Sequence, residues 1–359
     1  MSEHRATFSG GIELSRRYWH EVVAPIVDDL LPATPRAAAL LGAGSDVLGF
    51  DTERSIDHGW GPRVLVFVGE ADGLDDERQR TLVAAVDARV PAAFGGFPTR
   101  FVARSDEDLR HQVTFATVGT WFGSTVGFDP RGDITPADWL AAPAQLLRSV
   151  TAGAVFEDDA NLLTEARDRL RWYPEDVWLY LLACQWRRID QDEPFVGRTG
   201  EVGDDLGSAL VTGRLVRDLM RLCFLMERQY APYAKWLGTA FARLLCAPAL
   251  MPALGAALSA SNWKQREAAL VTAYEAAASA FNELGLVERL EPTVRQFYDR
   301  PFLVLGSSRF AEACMARTSL AALGYVGGID QFVDSTDVLS APRNAQRLRD
   351  FIARGSPGA

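Results

Sequence analysis

Apolar residues recur at every fourth position from Leu14 through Tyr18 and Val22 to Ile26, a spacing that predicts a helix over 13–31 closed by Pro32 and Pro35. Two short apolar runs follow. Residues 37–41 end at Gly42, and the β-branched run RVLVFV covers 63–68; both predict buried strands. A helical pattern over 75–88 and strand patterns over 101–103 and 112–118 continue the alternation, which is the signature of an α/β domain. Beyond about Pro136 the strand signal fades. Helical periodicity marks 138–150, 162–172, 175–189, 206–228, 233–245, 263–284 and 309–323, with Leu215, Leu219, Leu222 and Met226 on one face. The expected architecture is an α/β domain over 1–136 followed by an all-α domain over 137–359.

Composition narrows the function classes. The 359 residues are 48% hydrophobic and 23% charged, enough to build a core without staples. A net charge of −10 gives no global field to draw in a polyanion, so nucleic acid is not an expected partner. The four cysteines are scattered without metal-ligand spacing, and the four histidines form no cluster, which argues against a zinc site. The most apolar stretch, 244–258, carries Pro248 and Pro252 and is too short to span a bilayer. The first residues hold no apolar signal core. A cytoplasmic protein with no membrane association is expected, with its oligomeric state open.

The chemistry concentrates in LLGAGSDVLGFDTERSIDHGWGPRVLVFV, residues 40–68. Gly42-x-Gly44 after a strand raises the possibility of a dinucleotide-binding turn. That fingerprint needs a third glycine at position 47, which is Val47, and a long helix directly afterwards, which the polar, Gly- and Pro-containing 50–62 segment does not predict. A nucleotidyl-transfer site fits better. Such a site needs a tight Gly-Ser turn whose amides and hydroxyl approach terminal phosphates. It also needs carboxylates on a neighbouring strand to hold Mg²⁺, usually as Asp-x-Asp, because residues i and i+2 share a strand face. Gly44 and Ser45 supply the turn, Asp57 the metal carboxylate, and Arg63 is either a phosphate contact or a strand-end arginine paired with an acid. Asp46 and Asp51 are expected to be turn formers.

The run GSDVLGFDTERSIDHGWGPR (44–63) closely resembles a bacterial nucleotidyltransferase-like family, domain of unknown function 4037. Further resemblance lies in GAVFEDD (153–159), YPEDVWLYLLACQW (173–186), EPFVGRTGEVGDDLGS (193–208), FLMERQYAPYAKWLGTAF (224–241) and GGIDQFVDSTDVL (327–339). The resemblance implies a polymerase-beta-like nucleotidyltransferase fold and a helical domain, in a layout similar to the aminoglycoside nucleotidyltransferases. With it come Mg²⁺ as cofactor, a nucleoside triphosphate as substrate and a small-molecule hydroxyl as acceptor. Where family members carry Asp-His-Asp-Trp, this chain has Asp57-His58-Gly59-Trp60, so the second metal carboxylate is missing. Two readings therefore stand: Mg²⁺-assisted transfer of a nucleoside monophosphate, or a degenerate module that binds a nucleotide or small ligand without turning it over.

Other candidates lie outside this run. Among Glu157, Asp158 and Asp159, the expectation is that Asp159 caps the next helix and Asp158 serves the acceptor, as a base on its hydroxyl or by holding a cationic group. Residues 193–208 read as a charged, glycine-rich loop, in which the resemblance points to Glu193 as a catalytic acid and to Arg198 and Asp204 as binding residues. Lys235, among Tyr230, Tyr233, Trp236 and Phe241, either contacts the nucleotide or acceptor or lies over aromatic rings. Arg214, Arg217, Arg221 and Arg228 recur at helical spacing, either to receive phosphate or, as expected, to form a solvated face with Asp218 and Glu227 as partners.

Overall fold

The structure is a computed structural model that describes residues 10–57, 59–70, 74–102 and 109–347, and for Asp57 the backbone alone. It divides into two compact units. The first comprises 1–138, 146–171 and 341–359, the second 139–145 and 172–340.

The first unit is built on a mixed sheet. The expected N-terminal helix forms as α1 (Gly11–Tyr18), a π-helical turn (Trp19–Val23) and α2 (Ala24–Leu30). Strand β1 (Arg36–Leu40) leads through the glycine-serine turn to β2 (Arg63–Val68), as the apolar runs predict. Helix α3 (Asp76–Asp87) starts where the Asp75 carboxylate accepts the Arg78 amide at 2.8 Å. A short hairpin, β3 (Ala93–Phe94) and β4 (Phe97–Pro98), precedes β5 (Arg100–Phe101) and β6 (Arg110–Thr117). Ala103, in the predicted strand 101–103, lies outside the described residues. Helix α4 (Val118–Val126) opens with a Thr117–Thr120 capping box. The predicted helix over 138–150 is two helices, α5 (Pro136–Ala141) and α6 (Ala144–Thr151), and they lead into β7 (Ala154–Asp158) and α7 (Leu162–Arg169).

The sheet order is β5-β6-β2-β1-β7. Only β2 and β6 run parallel, and that pairing requires the crossover supplied by α3. One face packs Ala38, Val64, Val66, Val113 and Phe115 against Tyr18, Trp19, Val23, Val27, Leu82 and Val86. The unit boundary corrects the expected division at 136/137: β7 pairs antiparallel with β1, from Ala37 opposite Asp158 to Leu40 opposite Ala154, so residues 146–171 belong to the sheet unit.

The second unit is helical, with α8 (Glu175–Asp192) at its centre. Every residue from Val177 to Trp186 is buried, as expected of a helix packed on all sides. The other helices are α9 (Phe195–Glu201), α10 (Asp205–Met226), α11 (Ala234–Phe241), α12 (Ala247–Ser259), α13 (Trp263–Asn282) and α14 (Ser308–Met315). The Trp186 ring of α8 stacks on Phe310 at 4.6 Å and meets Phe281 edge-on at 5.7 Å. A two-residue pair, β8 (Arg295–Gln296) with β9 (Leu303–Val304), precedes α14, and the short helix α15 (Ile329–Phe332) follows it. Among the described residues no helix is long and apolar enough to cross a membrane.

Acidic side chains on these helices clamp the connecting loops. The Glu227 carboxylate accepts the Leu245 and Cys246 amides, Asp176 the Ser319 amide, and Glu275 the Val294 amide. Loop amides that lack a helical or strand partner are thereby satisfied.

Candidate functional site

The turn after β1 brings together three of the sequence-predicted residues, Gly44, Ser45 and Arg63. Gly42 (φ +91°) and Gly44 (φ +146°) shape it, and the Phe50 amide closes it by donating to the Ser45 carbonyl at 2.7 Å. Arg63, the first residue of β2, reaches back over the turn. Its guanidinium donates to the Ala43 carbonyl at 2.8 Å and to Asp46 Oδ1. A Cβ on Gly44 would stand 2.1 Å from that guanidinium, so the position admits only glycine while Arg63 stays in place. The backbone amides of Ala43, Gly44 and Ser45 and the Ser45 hydroxyl find no acceptor among the described residues. Arg63 Nε and Asp46 Oδ2 are buried without partners there too. Successive unpartnered amides are what an anion-binding concavity requires.

Of the two readings of Arg63, the structure shows the strand-end arginine paired with an acid, placed against the turn. Asp46, 2% exposed, is the buried member of that pair and not a free metal ligand. Asp51 accepts the Gly11 amide at 2.8 Å and the Trp60 indole at 3.1 Å, so it caps α1.

Asp57 departs from the expected strand placement. Its backbone closes a 3₁₀ turn, Glu53–Asp57, stabilised by the Ser55 amide donating to the Thr52 carbonyl and the Thr52 amide to Ser55 Oγ. Left-handed Gly59 (φ +65°) and Pro62 separate that turn from β2. The i, i+2 geometry of a strand does not apply at 57–59. His58 lies outside the described residues. Among the described residues no group of three Cys, His, Asp or Glu side chains is placed to hold a metal ion, and the nearby acids Asp46 and Asp51 are already engaged. The Asp57 carboxylate, the expected metal ligand, lies outside the described side chains.

Asp158 is also corrected. It ends β7 opposite Ala37, about 10 Å along β1 from the strand end that carries the turn. Its carboxylate accepts the Leu163 amide at 3.2 Å and the Thr164 amide at 2.8 Å, so Asp158, not Asp159, caps α7. Neighbouring Glu157 accepts from the Trp19 indole at 3.1 Å and from Arg36 at 2.8 Å.

The second unit disperses its candidates. Residues 193–208 are not a loop: α9 and the start of α10 occupy them. Glu193, 5% exposed, accepts the Leu305 amide at 2.7 Å and the Ser307 amide at 2.9 Å, a structural clamp away from solvent. Burial pushes its carboxyl up to about 7, against the two amides, which favour the ionised form. Arg198 is exposed and lies over the Phe195 ring at 5.6 Å. Asp204 is the N-cap of α10, accepting the Gly207 amide at 2.8 Å. The Lys235 ammonium rests over Trp236 at 4.8 Å. The arginine stripe is solvated only in part: Arg214 and Arg228 are exposed, Arg217 and Arg221 half-buried. Arg214 pairs with Asp192 and Arg217 with Asp334, Arg221 donates to the Asp330 carbonyl, and Arg228 lies 4.3 Å over Trp178.

Sequence reasoning missed one feature of this unit. A cavity of about 50 Å³ is lined by Trp139, Trp172, Tyr173, Tyr230, Arg221 and Asp330, among others. Trp172, Tyr173 and Tyr230 lie within 5.1 Å of one another, centroid to centroid. The Trp172 indole N–H is buried without an acceptor, and burial raises the Asp330 carboxyl above its usual range. Such walls suit a small ligand with an apolar or flat face and one polar end. The only sequence signal was the aromatic and Arg content of 172–230.

Residues 139–237 match the family model described as Domain of unknown function (DUF4037). No curated protein matches the chain. Among solved structures it is similar to a nucleotidyltransferase-like protein from Exiguobacterium sibiricum 255-15, with 13% identity, 77% of this chain and 79% of that chain covered, and a TM-score of 0.32.

Proposed function

We propose that the first unit is a binding module for the phosphate tail of a nucleotide, seated on the turn 42–46 and held without metal-assisted transfer. One observation carries this reading: the Ala43, Gly44 and Ser45 amides and the Ser45 hydroxyl are unpartnered beside an arginine whose Nε is itself buried without an acceptor. A phosphate oxygen would supply acceptors to several of these donors at once. Asp46 offsets the Arg63 charge, so recognition rests on oriented dipoles and geometry more than on net charge. The competing reading is Mg²⁺-assisted transfer of a nucleoside monophosphate to a small-molecule hydroxyl, with Asp57 as the metal carboxylate. With Gly59 in place of a second carboxylate, Asp57 and the triphosphate would have to hold a single metal, and Asp46 and Asp51 are engaged with Arg63 and with Gly11 and Trp60.

Titration calorimetry with each nucleoside triphosphate, in Mg²⁺ and in EDTA, tests the module. We expect saturable binding that keeps its affinity in EDTA and weakens about 3- to 10-fold in Ser45→Ala, the worth of one hydrogen bond. Pyrophosphate release that needs Mg²⁺ and disappears in Asp57→Ala would overturn the binding-only reading and establish the transfer.

A further inference from the structure

The cavity in the second unit has one charged end and otherwise apolar walls, and every residue that lines it belongs to that unit. Trp139, Trp172, Tyr173 and Tyr230 form its aromatic side, a run of ring contacts with centroids between 4.9 and 5.6 Å apart. Gln185 and Gln331 also line it, but their amides are committed within the fold. Gln331 Nε2 donates to the Leu181 carbonyl and to Gln185 Oε1, both at 3.0 Å, and Gln185 Nε2 donates to the Asp218 carbonyl at 3.0 Å. These bonds tie α15 to α8 and α8 to α10, which fixes the end of the cavity where Asp330 stands.

Asp330 is half-buried in α15. Its Oδ2 accepts the Ala144 amide at 2.8 Å, and its carbonyl accepts from the Arg221 guanidinium. Oδ1 has no hydrogen-bond partner among the described residues. The Arg221 charge is answered elsewhere, since its other nitrogen lies 3.9 Å from Asp334. The open polar group of the cavity is therefore a carboxylate oxygen. Burial opposes its charge and raises the carboxyl above the usual range, even against Arg221 and the Ala144 amide.

We propose that this cavity is a binding site for a small organic ammonium ion, whose N–H donates to Asp330 Oδ1 and whose carbons lie against the aromatic side. This goes beyond the nucleotide-binding reading and does not depend on it. An ammonium gives the carboxylate a charge-assisted hydrogen bond, and aromatic rings attract a cation while covering its alkyl carbons. An anion would meet Oδ1 with no donor between them, and a neutral alcohol would gain nothing from the ring quadrupoles. Size sets the class more narrowly. One water needs about 10–15 Å³ of such space, so a cavity of about 50 Å³ admits a head group of about three to five non-hydrogen atoms, an alkylammonium and not a sugar ring.

The test titrates the full-length chain with ethylammonium, ethanol and acetate in turn, at about 0.15 M ionic strength to screen the acidic surface. Tryptophan emission is the readout, because Trp139 and Trp172 line the cavity. We expect ethylammonium to give a saturable change with a dissociation constant of about 1 mM or weaker, the ceiling for a ligand of so few atoms. Ethanol and acetate should give none at the same concentrations. Asp330→Asn keeps an acceptor for the Ala144 amide and removes the charge, so it should weaken ethylammonium about 10- to 100-fold. If that variant does not fold, the ranking of the three probes on the unaltered chain decides. An equal response to ethanol would mean that the cavity takes any apolar group, and saturable binding of acetate would make Arg221 the recognising end. Unchanged affinity in Asp330→Asn would place ethylammonium elsewhere on the chain. Each of these results, or the absence of saturable binding, would overturn the proposal.

Discussion

At Gly44 the backbone adopts φ +146°, and the space a Cβ would need is taken by the Arg63 guanidinium at 2.1 Å and by Asp46 Oδ1 at 2.2 Å. Gly44→Ala must displace a partly buried ion pair as well as strain the turn. We expect it to cost about 2–4 kcal/mol in urea unfolding and to abolish nucleoside triphosphate binding. Gly123 gives the opposite sign: it lies in α4 at an exposed position with open space where its Cβ would stand. Gly123→Ala should stabilise by about 0.5–1 kcal/mol in the same measurement. The contrast shows what a sequence makes legible at this scale. A glycine-serine turn after a strand could be read from residue types. The partner of each charged residue could not, because Asp46, Asp51 and Asp158 look alike as acids near turns. Only the fold shows that one holds Arg63, one caps α1 and one caps α7.

Among the elements, the helix α8 ends at a carboxylate that carries a pH signal. Glu193 clamps the 305–307 amides in a buried site, and its carboxyl is pushed from the ordinary 4.5 up to about 7. Between those values the folded chain keeps a proton that the unfolded chain releases. The contribution is therefore full below about pH 4.5 and is lost as pH rises through about 7, about 3 kcal/mol in all. Urea unfolding across that range should show stability from this group falling with pH. Glu193→Gln should remove that part of the slope and cost about 1–3 kcal/mol at pH 5, because its amide group cannot accept from the second N–H.

The segment after Glu193 also shows why sequence alone mistook an element. Gly197 and Gly200 suggested a loop, but they lie in α9, where the Phe302 and Trp263 side chains pack at 2.6 and 2.2 Å from where a Cβ would be. Close helix packing, not flexibility, requires glycine there. The long, strongly periodic elements α3, α8, α10 and α13 were legible because each buries one face or its whole circumference. The edge strand β7 was not, since all five of its residues are half-buried and leave no alternation to read.

For the whole molecule, the division of the chain decides which pieces stand alone. Strand β1 is enclosed on both sides, by β2 and by β7, and Ala37, Ala38, Ala39 and Leu40 are at most 2% exposed. A fragment ending at 136 keeps β1 but loses its β7 partner. The freed edge would present a row of unpaired amides and carbonyls on an apolar strand, the arrangement that recruits other chains. It would also lose the Gly42 amide bond to the Ser149 carbonyl and the Gly153 amide bond to the Val47 carbonyl, both of which anchor the 42–47 turn. A fragment ending at 171 keeps β7, its α7 cap and both of those bonds. We expect the 1–136 fragment to aggregate and to show no cooperative urea transition by circular dichroism. The 1–171 fragment should remain soluble, unfold cooperatively and retain triphosphate binding. A cooperative, monomeric 1–136 fragment would mean that β1 tolerates an open edge and that the turn is organised by α1, β1 and β2 alone.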